Sequence, residues 1–309
     1  MARDRAPKNR TISLDASERE RYGSKLLRLK KPIALDRIID RTIFGDLFEI
    51  ATFLPAAFVD LLILDPPYNL TKSFGSNSFS KTSFEKYRAW FEESFLLLLP
   101  LLKSTASIYV CADWFTSTAI HAVLNQHVHV RNRITWGREK GRGAKANWKN
   151  SMEDIWFCTM SDDYFFNLDA VKVRRRVLAP YKENGQPKDW NESENGNFRD
   201  THPSNFWNDI TVPFWSMPEN TDHPTQKPEK LIAKLVLASS RPDEMVFDPF
   251  CGSGTTSVVA KKLGRHFVGI EQEEDFATLA EKRLELANSD RRIQGFSDGV
   301  FWERNSAPK

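Results

Sequence analysis

The sequence predicts an α/β protein with a doubly wound, mostly parallel, Rossmann-like sheet, and three stretches predict it. The apolar run Val59–Leu64 reads as a buried strand and stops at Asp65-Pro66-Pro67-Tyr68. Glu244–Phe250 reads as a second buried strand. It is followed by the glycine turn Phe250-Cys251-Gly252-Ser253-Gly254-Thr255, a helical stretch Thr256–Leu263 stopped by Gly264, and a short strand His266–Ile270 ending at the acid Glu271. Strand, glycine turn, helix, strand and acid in that order form a nucleotide-binding βαβ unit. Only the helical segment Glu273–Ala287 follows Glu271, so the third strand must come from elsewhere, and Arg41–Asp46 near the N-terminus supplies it.

Taken in order, residues 1–35 form a basic, mostly polar lead, expected to be partly flexible, with Arg3, Arg5, Lys8 and Arg10 spaced like a tail. Residues 36–168 form the half that carries Asp65. Within it Leu47–Leu54, Ser83–Leu99 and Asp113–Asn125 read as helices, and Ser107–Cys111 and Arg131–Trp136 as strands. The loop 137–150 is basic and rich in glycine. It holds Arg138, Lys140, Arg142 and Lys145, with Trp148 and Lys149 just behind, and suits a phosphate backbone. From 169 to 222 the helix and strand periods fade. Arg174, Arg175 and Arg176 open a polar stretch punctuated by Trp190, Trp207 and Trp215, read as loops on aromatic anchors. Residues 223–290 hold the glycine turn, and 291–309 read as a polar tail.

The chemistry of Asp65-Pro66-Pro67-Tyr68 follows from its residue types. Prolines cannot donate to a sheet ladder, so the strand ends and nearby carbonyls stay free. A carboxylate, a free carbonyl and an aromatic ring then meet at one point. That set fits a planar base with an exocyclic amine, offering two acceptors for two N–H bonds and a face for stacking. The lone pair of such an amine is delocalised into its ring, and acceptors on both hydrogens release it for attack. Glu271 lies about 20 residues past the glycines, the spacing at which a carboxylate meets ribose hydroxyls.

Together these motifs resemble the β group of the amino-methylating DNA methyltransferases, in which D-P-P-Y precedes F-x-G-x-G. Phe250-Cys251-Gly252-Ser253-Gly254 fits the second motif in full, and His223-Pro224-Thr225-Gln226-Lys227-Pro228 is similar to a third element of the family. The resemblance implies a circularly permuted fold, S-adenosylmethionine as cofactor, and double-stranded DNA as partner, with a homodimer possible. It implies catalytic roles for Asp65, Pro66, Pro67 and Tyr68. It places Thr225 and Lys227 near the cofactor's methionine carboxylate, Asp248 near its ammonium, and Phe250, Gly252, Ser253, Gly254 and Thr255 around it. Asp46 is either an acceptor for the cofactor's adenine amine or the N-cap of the next helix. By the same resemblance the region 169–222 recognises the target sequence. An aspartate at 65 leans towards adenine N6 as target, a serine there towards cytosine N4, and an asparagine towards RNA or a protein glutamine. An inactive DNA-binding homologue is the rival of another class.

Composition narrows the field. The chain has 309 residues, 40% apolar, and can bury an α/β core with a smaller module. A net charge of +3 leaves any nucleic-acid surface local rather than global. Phe95–Leu99 is cut by Pro100, so no run reaches membrane length, and the charged start does not resemble a secretory signal. Three scattered cysteines form no pair or metal spacing, which points to a reducing cytoplasm. None of Cys111, Cys158 and Cys251 follows a proline, the placement that the enzymes methylating cytosine C5 use for their nucleophile.

Overall fold

The computed structural model describes residues 6–74, 77–138, 147–177, 181–193 and 196–303. Its main sheet has eight strands: β1 (Arg41–Phe44), β2 (Val59–Leu64), β3 (Leu102–Ala112), β4 (His129–Gly137), β5 (Met152–Thr159), β6 (Phe206–Trp207), β7 (Met245–Asp248) and β8 (His266–Glu271). They lie in the order β1-β8-β7-β2-β3-β5-β4-β6. The five strands β1, β8, β7, β2 and β3 are mutually parallel, and β5 and β4 add an antiparallel pair. Arg41 pairs with Val268 and Phe44 with Glu271, so the N-terminal strand does complete the C-terminal βαβ unit.

Among the described residues there are seven α-helices: α1 (Ala16–Gly23), which packs on α7, and α2 (Leu47–Ile50), α3 (Phe84–Leu98), α4 (Ser117–His127), α5 (Glu229–Ser239), α6 (Thr255–Lys262) and α7 (Glu274–Ser289). Two apolar clusters result. Phe91, Phe95, Ile120 and Val123 pack on one face of the sheet; Leu231, Leu235, Val258 and Leu284 pack on the other. Along β2, Leu62 and Leu64 enter the first cluster while Leu61 and Ile63 enter the second, the two-residue alternation of a strand buried on both faces.

Three expectations need correction. From Arg10 onward the N-terminal lead is docked rather than tail-like. Asp15 and Glu18 form a reciprocal cap on α1, Tyr22 is buried, and Lys282 of α7 pairs with Glu18. Arg3 and Arg5 lie outside the described residues, while the Arg10 amide donates to the Trp215 carbonyl. The region 169–222 is not loops alone. Val173–Arg176, Asn191–Ser193 and Gly196–Thr201 form an antiparallel set, too short to show a period in sequence. The tail is not free either: Val300–Trp302 pairs in parallel with Val173–Arg176, and Phe301 is fully buried. Lys230 and Lys234 of α5 fix this module by gripping Asp209, and Lys230 also donates to the Trp302 carbonyl.

The glycine turn is held from behind by Arg283 of α7, which sequence reading did not single out. Its guanidinium is buried and donates to the Ser253 carbonyl, to Thr255 Oγ1 at 2.9 Å and to Glu229 Oε1 at 3.0 Å. Gly254 begins α6 at φ 76°, and a Cβ there would lie 2.5 Å from the Ala280 Cβ, so only glycine lets the turn approach α7 this closely. Replacing Arg283 with Met leaves the buried Glu229 carboxylate to Lys262 alone and strips the Ser253 carbonyl and Thr255 hydroxyl of their donor, and should cost about 3–5 kcal/mol in urea unfolding. The exposed pair Arg19–Asp275 gives the control, with Arg19→Ala changing stability by less than about 1 kcal/mol.

Candidate active site

The parallel strands deliver their carboxyl ends to one edge, where a cavity of about 440 Å³ opens. Asp65, Pro66, Pro67 and Tyr68 line it from the end of β2, Phe250 and Gly252 from the glycine turn, and Glu271 from the end of β8. Asp46, Thr225 and Lys227 line it too, as do Trp136, Arg138 and Glu153 from the β4–β5 pair.

Asp65 is engaged on both oxygens. Oδ1 accepts from the Tyr68 hydroxyl at 3.0 Å, and Oδ2 accepts from Lys227 Nζ at 2.6 Å. Lys227, placed by resemblance beside the cofactor, therefore sits on the Asp65 carboxylate. Its ammonium also lies 3.3 Å from Glu153 Oε2. Burial alone would lower the Lys227 pKa, but the Asp65 and Glu153 carboxylates outweigh it and raise the pKa well above the usual lysine range. Tyr68 is pushed up as well, first by burial and then by the same two carboxylates, so its phenol stays protonated. Its single proton serves Asp65 or Glu153, which lies 3.1 Å away.

Glu153 was not singled out from the sequence, and its strand β5 was not read. It is 2% exposed, follows Met152, and alternates with the buried Ile155 and Phe157 on one face of β5. Its other oxygen meets Arg138 Nη1 at 2.7 Å. A charged residue in phase with apolar neighbours, at the mouth of a strand, is the signal that could have found it. Asn69 was missed too. It is buried behind Tyr68 and bonds the Thr82 amide and carbonyl, securing the loop after the prolines.

On the cofactor side, Glu271 accepts from the Gly252 amide and the Glu273 amide, both at 2.8 Å. Burial outweighs these bonds and pushes its pKa up to about 7. Asp248 turns inward. It accepts from Thr256 Oγ1 at 2.6 Å and from the Phe250 amide, and burial pushes it up to about 7 as well. It is absent from the cavity wall, as are Ser253, Gly254 and Thr255. These four build the turn rather than face the cavity. Gly252, at φ 52°, packs where a Cβ would meet the His223 ring at 2.9 Å. Asp46 caps α2 by accepting from the Phe48 amide at 2.7 Å, as the N-cap reading expects, and it also lines the cavity. Burial raises the thiol pKa of Cys111, Cys158 and Cys251, which disfavours a thiolate in any of them.

Of the basic residues expected at DNA, Lys140, Arg142 and Lys145 lie outside the described residues. Arg138 turns into the cavity rather than outward. Arg174 bonds Asp200 twice, each at 2.7 Å. Arg175 lies 3.6 Å from Glu303, and Arg176 is exposed. Trp190 and Trp207 are buried as local core, whereas Trp215 is half exposed.

A family model described as DNA methylase, of the N6 and N4 class, matches residues 59–282. The DNA adenine methyltransferase YhdJ of Escherichia coli (strain K12) is 32% identical over 261 residues, covering 80% of this chain and 83% of that protein. The type II methyltransferase M.HpaI of Haemophilus parainfluenzae is 33% identical over 234 residues, covering 74% and 68%. Among solved structures, the cytosine-N4-specific PvuII DNA methyltransferase superposes with a TM-score of 0.56 at 16% identity, over 92% of this chain and 98% of that one. The M1.HpyAVI–SAM complex superposes at 0.51 with 24% identity, over 79% and 98%. These two likenesses support the fold alone. The family match spans both halves of the cavity, from the Asp65 strand to the acid and helix beyond the glycine turn, and the chain belongs to the amino DNA methyltransferases, the family that modifies adenine N6 or cytosine N4.

Proposed function

We propose that this protein transfers a methyl group from S-adenosylmethionine to the N6 amine of an adenine extruded from double-stranded DNA at a specific short sequence. The observation that carries the reading is the shared cavity, with Asp65 and the proline carbonyls on one wall and Glu271, Phe250 and the glycine turn on the other. Adenine rather than cytosine rests on the aspartate at 65 and on the adenine-methylating relative at 32% identity. The N4-cytosine reading shares the same acceptors and is the second reading. A type II relative such as M.HpaI supports a role in restriction–modification, and a cytoplasmic, DNA-associated setting follows from that role.

The cofactor fits the residues present. The cavity lies within the range of small-molecule sites, roughly 300–1,000 Å³. Glu271 suits ribose hydroxyls, Asp46 an adenine amine, Phe250 the adenine face, and Thr225 the methionine end. The cofactor supplies a methyl group on a sulfonium. The chain supplies position and polarity: Asp65 accepts one amine hydrogen, the Pro66 carbonyl accepts the other, and Tyr68 flanks the base. Asp248 acts at one remove, fixing Thr256 and the Phe250 amide and so the shape of the turn. Exposed Arg176, the Lys140–Lys145 loop and exposed Trp148 are the DNA-facing candidates.

Incubation of unmethylated phage λ DNA with labelled cofactor, digestion to nucleosides and separation tests the base. Label should appear in N6-methyladenosine; label in N4-methylcytidine overturns the adenine assignment alone. Asp65→Ala should abolish labelling while cofactor affinity, read by calorimetry, stays within about threefold, since Asp65 acts on the amine.

A pH dependence follows from Glu271 and Asp248. Both carboxyls have folded pKa values raised above their ordinary ones. Their stabilising contribution is therefore full in the acid range and is lost as pH rises through about 7. Free-protein melting temperature should fall between roughly pH 4 and 7 and level off above that, while cofactor affinity rises by up to about tenfold as Glu271 ionises into an acceptor. Glu271→Gln should flatten the affinity profile. A profile equally steep in that variant removes Glu271 from the cofactor site.

A further inference from the structure

Lys227, where it stands, weakens Asp65 as an acceptor for the target amine. The ammonium holds the Asp65 Oδ2 atom at 2.6 Å, and Tyr68 holds Oδ1. An amine nitrogen that gains a methyl group gains positive charge, and a lysine fixed to the same carboxylate repels that charge. A shift of the lysine off Asp65 as the base arrives would remove that repulsion and restore the carboxylate's strength as an acceptor. Lys227 is itself buried, and a buried ammonium stripped of its carboxylate is strongly disfavoured. Among the described residues the second carboxylate within reach is Glu153, at 3.3 Å and almost fully buried.

The other groups around Glu153 make that shift workable. Its far oxygen is held by Arg138 from the end of β4, and the Tyr68 hydroxyl lies between it and Asp65. Two carboxylates, one ammonium and one guanidinium balance in charge before the base enters. After Lys227 moves, the cluster balances in the same way, with both cations on Glu153. Arg138 Nε is buried on the cavity wall and has no hydrogen-bond partner among the described residues, an open donor beside the place where the base would dock. In sequence, Arg138 directly precedes the basic, glycine-rich stretch 139–146.

We propose that Glu153 is a positioning residue for methyl transfer: in the DNA-free protein it shares Lys227 with Asp65, and it takes Lys227 over when the target amine docks, so that Asp65 is unmasked only in the complex. The proposal rests on the amino-methyltransferase reading above. Lys227 then acts as a stand-in for the substrate amine. It occupies the acceptor until a better-placed N–H donor displaces it, and Glu153 keeps it solvated by protein in both states.

The test is a double-mutant cycle on Glu153→Gln and Lys227→Met, with unmethylated λ DNA and labelled S-adenosylmethionine. Glu153→Gln keeps the shape and removes the charge. It should lower kcat by about 10- to 100-fold, with cofactor affinity, measured by calorimetry, within about threefold of the parent. In the Lys227→Met background the same change should cost less than about threefold, because no lysine remains to be relocated. In the free protein, the two substitutions should lower the melting temperature by less together than the sum of their separate effects. An unchanged kcat in Glu153→Gln overturns the proposal, and so does an equal loss in both backgrounds, which would make Glu153 a scaffold residue. A parent protein that labels no base overturns the functional reading and this proposal with it, an outcome distinct from a labelling parent with an indifferent Glu153.

Discussion

The site depends on one constraint, the parallel pairing of β7 between β2 and β8. Leu61 sits beside Val246, and Asp248 beside Gly269, so all three strands run in one direction and end at one edge. Parallel strands buried on both faces must be strongly apolar, and these are. Where their apolar runs stop, the chain turns by whatever chemistry each end carries: prolines after β2, glycines after β7, an acid after β8. The cavity is the gap those three turns leave. Its position follows from strand direction, and its chemistry from the residues that end each strand.

That edge concentrates charge in a poorly solvated place, and the protein manages it in two ways. On the cofactor side, Glu271 and Asp248 are satisfied by backbone amides and a threonine hydroxyl, with no cation bonded to either among the described residues, and burial raises both pKa values to about 7. On the base side, Asp65 and Glu153 are neutralised by Lys227 and Arg138. The first arrangement leaves acceptors ready for neutral hydroxyl and amine donors. The second fills the acceptor with a surrogate donor, which keeps the free site neutral and makes base docking an exchange of partners rather than a fresh desolvation. Behind both, Arg283 ties the glycine turn to α5 and α7, so the wall facing the cofactor is rigid.

What the sequence displays is the part governed by short spacing. Val59–Leu64 with its prolines, and Met245–Glu271 with its glycines, each carry their signal within a few residues, and the N-terminal strand was deducible because the sheet lacked one. The parts it hides depend on contacts between distant residues. Lys227 meets Asp65 across 162 positions, and Tyr68 meets Glu153 across 85, so neither partner marks the other locally. Lys227 was legible as a site residue and not as the partner of Asp65. The strands of region 169–222, most of them two to four residues long, and Val300–Trp302 in the tail, are too short for a period to emerge. Arg174 shows only its arginine neighbours in sequence, whereas its partner Asp200 lies 26 residues later.

The central claim is that Asp65 is the acceptor for the target amine and is shared with Lys227 until the base arrives. A crystal structure of the protein with a methyl-inert cofactor analogue and its duplex tests it most directly, through the distances around Asp65. The account predicts the target amine within hydrogen-bond distance of Asp65 and of the Pro66 carbonyl, with Lys227 Nζ moved from Asp65 onto Glu153. A docked base whose amine lies away from Asp65, with Lys227 still at 2.6 Å from it as in the free protein, would contradict the account.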